Sequence, residues 1–224
     1  MTRDQSLELF AAATAHDLRT PLSALSGEVE LALRRERSPA AYREALQRIA
    51  ERVAELVDLT ADLALLGPPD EHPASAQATA NVGGVLDLVA SRCRACGVAI
   101  EPTPGPLMVC ADESRLGRAL TRLVEHAARY GGAAPRLRIT ETNEARADDG
   151  YVDIVLDGVP PGHAPRIWQP LMRPEGEAAG RAPGLFRLRV AARIVEDSGG
   201  SVTVQSSEGS ASVRIRLPRA AGAG

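Results

Sequence analysis

The residues best placed to do chemistry stand together near the front of the chain, as His16-Asp17-Leu18-Arg19-Thr20-Pro21-Leu22. A neutral imidazole is a good nucleophile near neutral pH, because one ring nitrogen carries no proton there. A carboxylate at the next position can accept a hydrogen bond from the other nitrogen, which fixes the tautomer and makes the free nitrogen more basic. On a helix, Thr20 follows His16 by about one turn and shares its face, where its hydroxyl can orient a water. An imidazole that takes up a phosphoryl group becomes a phosphoramidate, with enough transfer potential to pass the group to a carboxylate. Pro21 lacks an N–H and crowds the carbonyl of Asp17, so the helix is expected to bend and loosen beside the reactive residue.

These groups need a long helix to carry them. Leu7, Phe10, Ala13, Leu18, Leu22, Leu25, Val29 and Leu33 recur at helical spacing, predicting a helix from Ser6 to Leu33. Arg34 to Ser38 is a polar break, and Ser38-Pro39 reads as an N-cap with proline at the first helical position. Tyr42, Leu46, Ile49, Val53, Leu56 and Leu63 continue a second helix that Gly67-Pro68-Pro69 stops. Two such helices form an antiparallel hairpin, which cannot enclose a core alone. Pairing two hairpins gives a four-helix bundle, so a homodimer is expected.

The whole chain has 224 residues, enough for one large or two small domains, with a formal net charge of −3. Its basic residues are all arginine. No basic stripe points to nucleic acid, and no apolar run approaches the roughly 20 residues of a membrane span. Without a signal-peptide pattern behind Met1, the expected setting is cytoplasmic, with no membrane partner. Three cysteines, an odd number, argue against a secreted disulfide framework.

Residues 68–80, rich in Pro, Ala and polar side chains, read as a linker between a hairpin domain at 1–67 and a second domain at 81–218, with 219–224 a disordered tail. In the second domain Val82–Cys96, Asp112–Tyr130 and Leu185–Glu196 read as helices, with Asp112 capping the second. Val98–Glu101, Leu107–Cys110, Leu137–Thr142, Tyr151–Leu156, Val202–Gln205 and Ser212–Leu217 read as strands, and Asp157–Gly184 as a loop. The fold class is thus mixed: an all-α hairpin followed by an α+β sandwich, an antiparallel-rich sheet with helices on one face.

The run His16 to Leu22 resembles the H-box of the two-component sensor histidine kinase family, and residues 7–66 resemble its dimerisation and histidine-phosphotransfer domain. Residues 81–218 look like that family's Bergerat-type ATP-binding domain. Ala111-Asp112-Glu113-Ser114-Arg115-Leu116 with Leu123-Val124-Glu125-His126-Ala127-Ala128-Arg129-Tyr130 is similar to the N-box, Val155-Leu156-Asp157-Gly158 to the G1 box, and Gly184-Leu185 through Glu196 with Gly199-Gly200 to the G2 box. The resemblance covers nearly the whole chain. It implies that His16 is the phospho-acceptor, that Asp17 assists phosphorylation as base or orienter, and that Thr20 positions a water for dephosphorylating a partner regulator. It further implies that Leu18, Leu22 and Leu25 dock a response-regulator receiver domain.

The departures from the family fall at the nucleotide. Arg122 and His126 stand where the family has asparagines, the second of which ligates Mg²⁺, whereas Glu125 matches the usual acidic residue. Imidazole is a poor ligand for a hard cation that wants oxygen. Asp157 can still read an adenine amino group, but Gly158-Val159-Pro160-Pro161-Gly162 lacks the alternating glycines. Leu185 and Arg187 stand where phosphate-loop glycines are expected, with Arg187 able to reach a phosphate instead, and Arg173–Gly184 is the candidate lid. The residual nucleotide site is therefore Glu125, His126, Arg129, Asp157 and Arg187, with ATP and Mg²⁺ binding expected to be weak or lost and no resident metal or cofactor required for phosphotransfer.

Two other readings stay open: an active ATP-dependent autokinase, and a non-catalytic modulator that forms mixed dimers with a true kinase. Cys93-Arg94-Ala95-Cys96 has redox or zinc spacing but lacks a second ligand pair, so it reads first as small helix residues. Trp168 and Phe186 read as core anchors, and His72 and His163 are assigned no role.

Overall fold

Ser38 sets the turn of the first unit. Its hydroxyl accepts a hydrogen bond from the Ala41 N–H at 3.2 Å, with Pro39 in the first helical position, as the sequence predicts. The computed structural model describes residues 3–65, 78–103, 105–130, 135–140, 150–159, 168, 185–207 and 210–220; for 3–13, 16, 158–159, 185, 206–207 and 210 the backbone alone is described. The chain divides into two compact units, Met1–Gly67 and Pro68–Gly224.

The first unit is a hairpin of α1 (Arg3–Leu33) and α2 (Pro39–Ala64), and α1 runs through Pro21 without ending. Arg37 closes the loop by donating to the Leu31 carbonyl at 2.6 Å. Arg48 on α2 meets Glu28 on α1 at 3.0 Å, across the hairpin. Ala45, Leu59, Asp62 and Pro21 are buried. Tyr42, Leu46, Val53 and Val57 are exposed, and their spacing makes one apolar stripe along α2.

The second unit holds β1 (Thr79–Asn81), α3 (Val82–Arg92), β2 (Ala99–Ile100), β3 (Met108–Cys110), α4 (Glu113–Tyr130), β4 (Arg136–Thr140), β5 (Tyr151–Val159), α5 (Leu185–Asp197), β6 (Ser201–Ser207) and β7 (Ser210–Pro218). The main sheet runs β2-β4-β5-β7-β6, with β2 parallel to β4 and the other pairs antiparallel. β1 and β3 form a separate antiparallel pair. Alternation sorts the sheet: Val213, Ile215 and Leu217 are buried, while Ser212, Arg214 and Arg216 between them are partly exposed. The apolar face packs against α4 and α5, and α3 lies against α4. Trp168 and Phe186 are core residues, as expected.

Several boundaries differ from the sequence reading. The helix expected to reach Cys96 stops at Arg92, and Arg94–Cys96 tightens into a 3₁₀ turn that Gly97, at φ 65°, reverses into β2. Thr79 and Ala80 belong to β1 rather than to the linker, because they pair with Cys110 and Val109. Asp157, Gly158 and Val159 extend β5 instead of opening a loop. Arg219 and Ala220, expected in the tail, are instead tied down: Ala220 N–H donates to the Met108 carbonyl at 2.9 Å, and Arg219 bridges to Val109. The α5–β6 turn needs its glycines. Gly199 sits at φ 73°, and a Cβ on Gly200 would come within 2.3 Å of the Arg216 carbonyl. The linker at 68–77, the run 160–162, the lid at 173–184, His72, His163 and 221–224 lie outside the described residues.

Candidate functional site

On the hairpin, His16 lies in α1 one turn before Thr20. Asp17, Leu18 and Leu25 are partly exposed, Thr20 is exposed, and Leu22 is 48% exposed. Pro21 turns to the buried side. Around this stretch, then, one side of α1 is covered and Thr20 and Leu22 face outward.

In the second unit the site is built on α4 and α5. Asp112 caps α4, its Oδ1 accepting from the Arg115 N–H at 2.9 Å. The buried stripe Leu116, Leu120, Leu123, Val124 and Ala127 seats α4 in the core and turns Glu125 toward α5. Phe186, Leu188, Ala191, Ile194 and Val195 anchor α5 in the same way. The two helices therefore hold their polar residues at fixed separation, and Arg187 in the first turn of α5 donates to Glu125 Oε2 at 3.3 Å. The same oxygen accepts from Arg122 at 3.2 Å, and the Arg122 side chain is only 7% exposed. One carboxylate thus sits between two guanidiniums, a charge-assisted arrangement in which Arg122 is buried while Glu125 and Arg187 stay partly exposed.

Two other members of the expected nucleotide site, His126 and Asp157, are also engaged. His126 is 4% exposed, with its ring centroid 4.8 Å from that of Tyr130 and 5.0 Å from that of Trp168. Asp157 on β5 accepts from Arg138 Nε on β4 at 2.5 Å. Arg129 is exposed on the last turn of α4. Among the described residues no group of three or more His, Cys, Asp or Glu is arranged to hold a metal, and no helix is long and apolar enough to cross a membrane.

Comparison with known proteins gives this arrangement a context. The His Kinase A (phospho-acceptor) domain profile matches residues 6–71, and the profile for histidine kinase-, DNA gyrase B- and HSP90-like ATPases matches residues 111–221. The chain belongs to the two-component sensor histidine kinase family. Among relatives of this family chain, the probable sensor histidine kinase TcrY of Mycobacterium tuberculosis is 26% identical over 93% of the chain, which spans 45% of that relative. A probable sensor histidine kinase HK of the same species is 31% identical over 88% of the chain, which spans 52% of it. The chain therefore covers about half the length of the curated relatives it matches. The solved histidine kinase AdeS of Acinetobacter baumannii shares the fold, with a TM-score of 0.59 at 15% identity over 91% of this chain and 97% of that one.

Of the expected nucleotide residues Glu125, His126, Arg129, Asp157 and Arg187, the structure brings Glu125 and Arg187 together, leaves Asp157 in a separate pair and leaves Arg129 exposed. Sequence reading passed over Arg138, the partner of Asp157, and over Asp153, which is 1% exposed and accepts from Arg214 at 3.3 Å and from Arg216 at 2.9 and 3.1 Å. The alternating Val213-Arg214-Ile215-Arg216-Leu217 was a signal for the latter: two arginines on one face of a strand need a counter-charge across the sheet. Asp62, fully buried in α2, was likewise unforeseen.

Proposed function

We propose that this chain is a phosphorelay protein in which His16 carries a phosphoryl group exchanged with an aspartate of a response-regulator receiver domain, while its own use of ATP is weak or lost. When the receiver is the donor, the imidazole nitrogen forms its bond to phosphorus as the acyl-phosphate P–O bond breaks, and the carboxylate leaves as an anion. Asp17 holds the imidazole in the productive tautomer. In the hydrolytic direction, Thr20 orients the water that attacks the receiver's acyl phosphate. Leu18, Leu22 and Leu25 offer an apolar surface to the receiver. The stripe Tyr42, Leu46, Val53 and Val57 is covered in a homodimeric four-helix bundle, the expected way to hide apolar residues that a hairpin leaves in water.

The observation that carries the nucleotide part of this reading is the engagement of both candidate carboxylates by arginines of the same chain: Glu125 by Arg122 and Arg187, Asp157 by Arg138. A carboxylate held by a guanidinium is a poor partner for an adenine amino group. His126, packed between Tyr130 and Trp168, is a poor ligand for Mg²⁺, which takes oxygen donors. These residues do not fit a magnesium–nucleotide complex. The test presents a receiver carrying labelled phosphate: label reaches the wild-type chain, and transfer that persisted in His16→Ala would end the proposal.

The reading of an active autokinase is favoured by the ATPase-domain match over residues 111–221. Incubation with labelled ATP and Mg²⁺ separates the two. Stoichiometric acid-labile label on His16 would replace the first reading with the second.

A further inference from the structure

The dithiol Cys93/Cys96 lies outside the chemistry described so far. Cys93 follows the last residue of α3, its N–H donating to the Val89 carbonyl at 2.8 Å. The Cys96 N–H donates back to the Cys93 carbonyl at 2.8 Å, closing the 3₁₀ turn. Residues three apart in a 3₁₀ turn eclipse one another, so both thiols point the same way, and they share a hydrogen bond. Cys93 is completely buried and Cys96 is partly exposed. Cys93 also hydrogen-bonds with Thr121 on α4 and feels the charge of Glu125 one turn further along.

We propose that Cys93 and Cys96 form a reversible intramolecular disulfide, a modification site for peroxide-class oxidants seated against the α4 turn that carries Thr121 and Glu125. The burial difference assigns the roles. Peroxide reaches Cys96, whose thiolate attacks one oxygen: an S–O bond forms, the O–O bond breaks, and the leaving hydroxide takes a proton to become water. Cys93 then attacks the Cys96 sulfur: the S–S bond forms, the S–O bond breaks, and the departing hydroxide takes the proton that Cys93 gives up, leaving as a second water. Two thiols lose two electrons and one peroxide is reduced to two waters. Cys110 is engaged elsewhere, its thiol donating to the Arg219 carbonyl at 3.6 Å.

The arrangement makes Cys93 a resolving rather than an attacking thiol. Burial first, then Cys96, then the negative charge of Glu125 push its pKa up to about 12, which keeps it protonated; peroxide meets the more exposed Cys96, and Cys93 gives up its proton only in the closing step. Because Glu125 also holds Arg122 and Arg187, thiol chemistry and the α4–α5 ion cluster are linked through one carboxylate.

The test titrates thiols in the denatured whole chain before and after one equivalent of hydrogen peroxide. Of the three cysteines, two are lost and recovered by a thiol reductant, and peptide mapping finds a Cys93–Cys96 crosslink with Cys110 free. Cys96→Ser abolishes the crosslink. Glu125→Gln, which leaves every thiol in place, closes the disulfide several-fold faster at equal pH. Persistence of all three thiols, a bridge to Cys110 or to a second molecule, or a rate indifferent to Glu125→Gln would overturn the proposal.

Discussion

Arg187 and Glu125, 62 residues apart in the chain, meet at 3.3 Å between the first turn of α5 and the fourth turn of α4. In the resemblance to the kinase family, residue 187 falls where a bare glycine backbone would face phosphate. Here the residue is an arginine whose guanidinium is paired with the carboxylate opposite, and on the proposed reading it occupies the phosphate space. Arg122 reinforces the arrangement from within α4 itself.

Clearing that space is expected to restore nucleotide affinity. The triple variant Arg187→Gly, Arg122→Asn, His126→Asn removes both cations and the imidazole and returns an amide oxygen to position 126. A fluorescent ATP analogue should bind it about tenfold or more tightly than it binds the wild type in Mg²⁺, a gain of about 1.4 kcal/mol. Equal affinities would show that the arginines do not obstruct the site. Arg187→Gly alone is expected to cost about 1 kcal/mol of stability, from glycine in a helix and the lost partly exposed ion pair, measured by urea unfolding.

His16→Ala should abolish phosphotransfer while leaving the melting temperature within a few degrees, because alanine is the better helix former. Thr20→Ala keeps the transfer and loses about 10²-fold of the receiver-dephosphorylation rate, the scale of a positioned polar catalytic group. Retention of the wild-type dephosphorylation rate in Thr20→Ala would remove the role given to that hydroxyl.

Val53→Glu combined with Val57→Glu places two carboxylates on the exposed apolar stripe of α2. Light scattering is expected to report a dimer for the wild type and a monomer for this variant. Helix content should be retained in circular dichroism, since neither residue belongs to the hairpin's buried set.

Asp153→Asn should destabilise the second unit by about 2–3 kcal/mol, because it leaves Arg214 and Arg216 without their counter-charge; their partial exposure keeps the loss at the lower end of what breaking a buried pair costs. Denaturant unfolding of the wild type and the variant checks this.

Stability should also fall as pH rises from about 9 toward 12. Folding raises the Cys93 pKa from 9.0 to about 12, so across that window the folded chain keeps a proton that the unfolded chain has released. The slope of unfolding free energy with pH is then negative, at most about 1.4 kcal/mol per pH unit from this group. The contribution is complete below the unfolded pKa and is lost as pH climbs to the folded one. Cys93→Ala should flatten the slope relative to wild type, and an unchanged slope would contradict the assignment.

Much of the fold could be read residue by residue. Ser38-Pro39 and Asp112 announced their helices because a cap acts within three residues of itself. The strands of the β6–β7 hairpin declared themselves by alternation, and the long helices by their apolar period. The reading slipped where local signals were weak or were overruled. Cys93–Cys96 continues a helical composition, yet the chain tightens there and turns at Gly97. Asp157 and Gly158 look like loop, yet pairing of β5 with its neighbours carries the strand to Val159.

The candidate site divides along the same line. Position along the chain was enough to put His16, Asp17 and Thr20 on one helix and to nominate Glu125, Asp157 and Arg187, because helix period and motif spacing are local quantities. Whether Glu125 would be open or clasped by Arg122 and Arg187, whether Asp157 would meet Arg138, and whether His126 would lie against Trp168 all waited on the packing of helices and strands. Those contacts join segments far apart in sequence, and their energies depend on separations of a few ångströms. Side-chain chemistry supplies the charges, but the distance between them is set by how the core closes beneath.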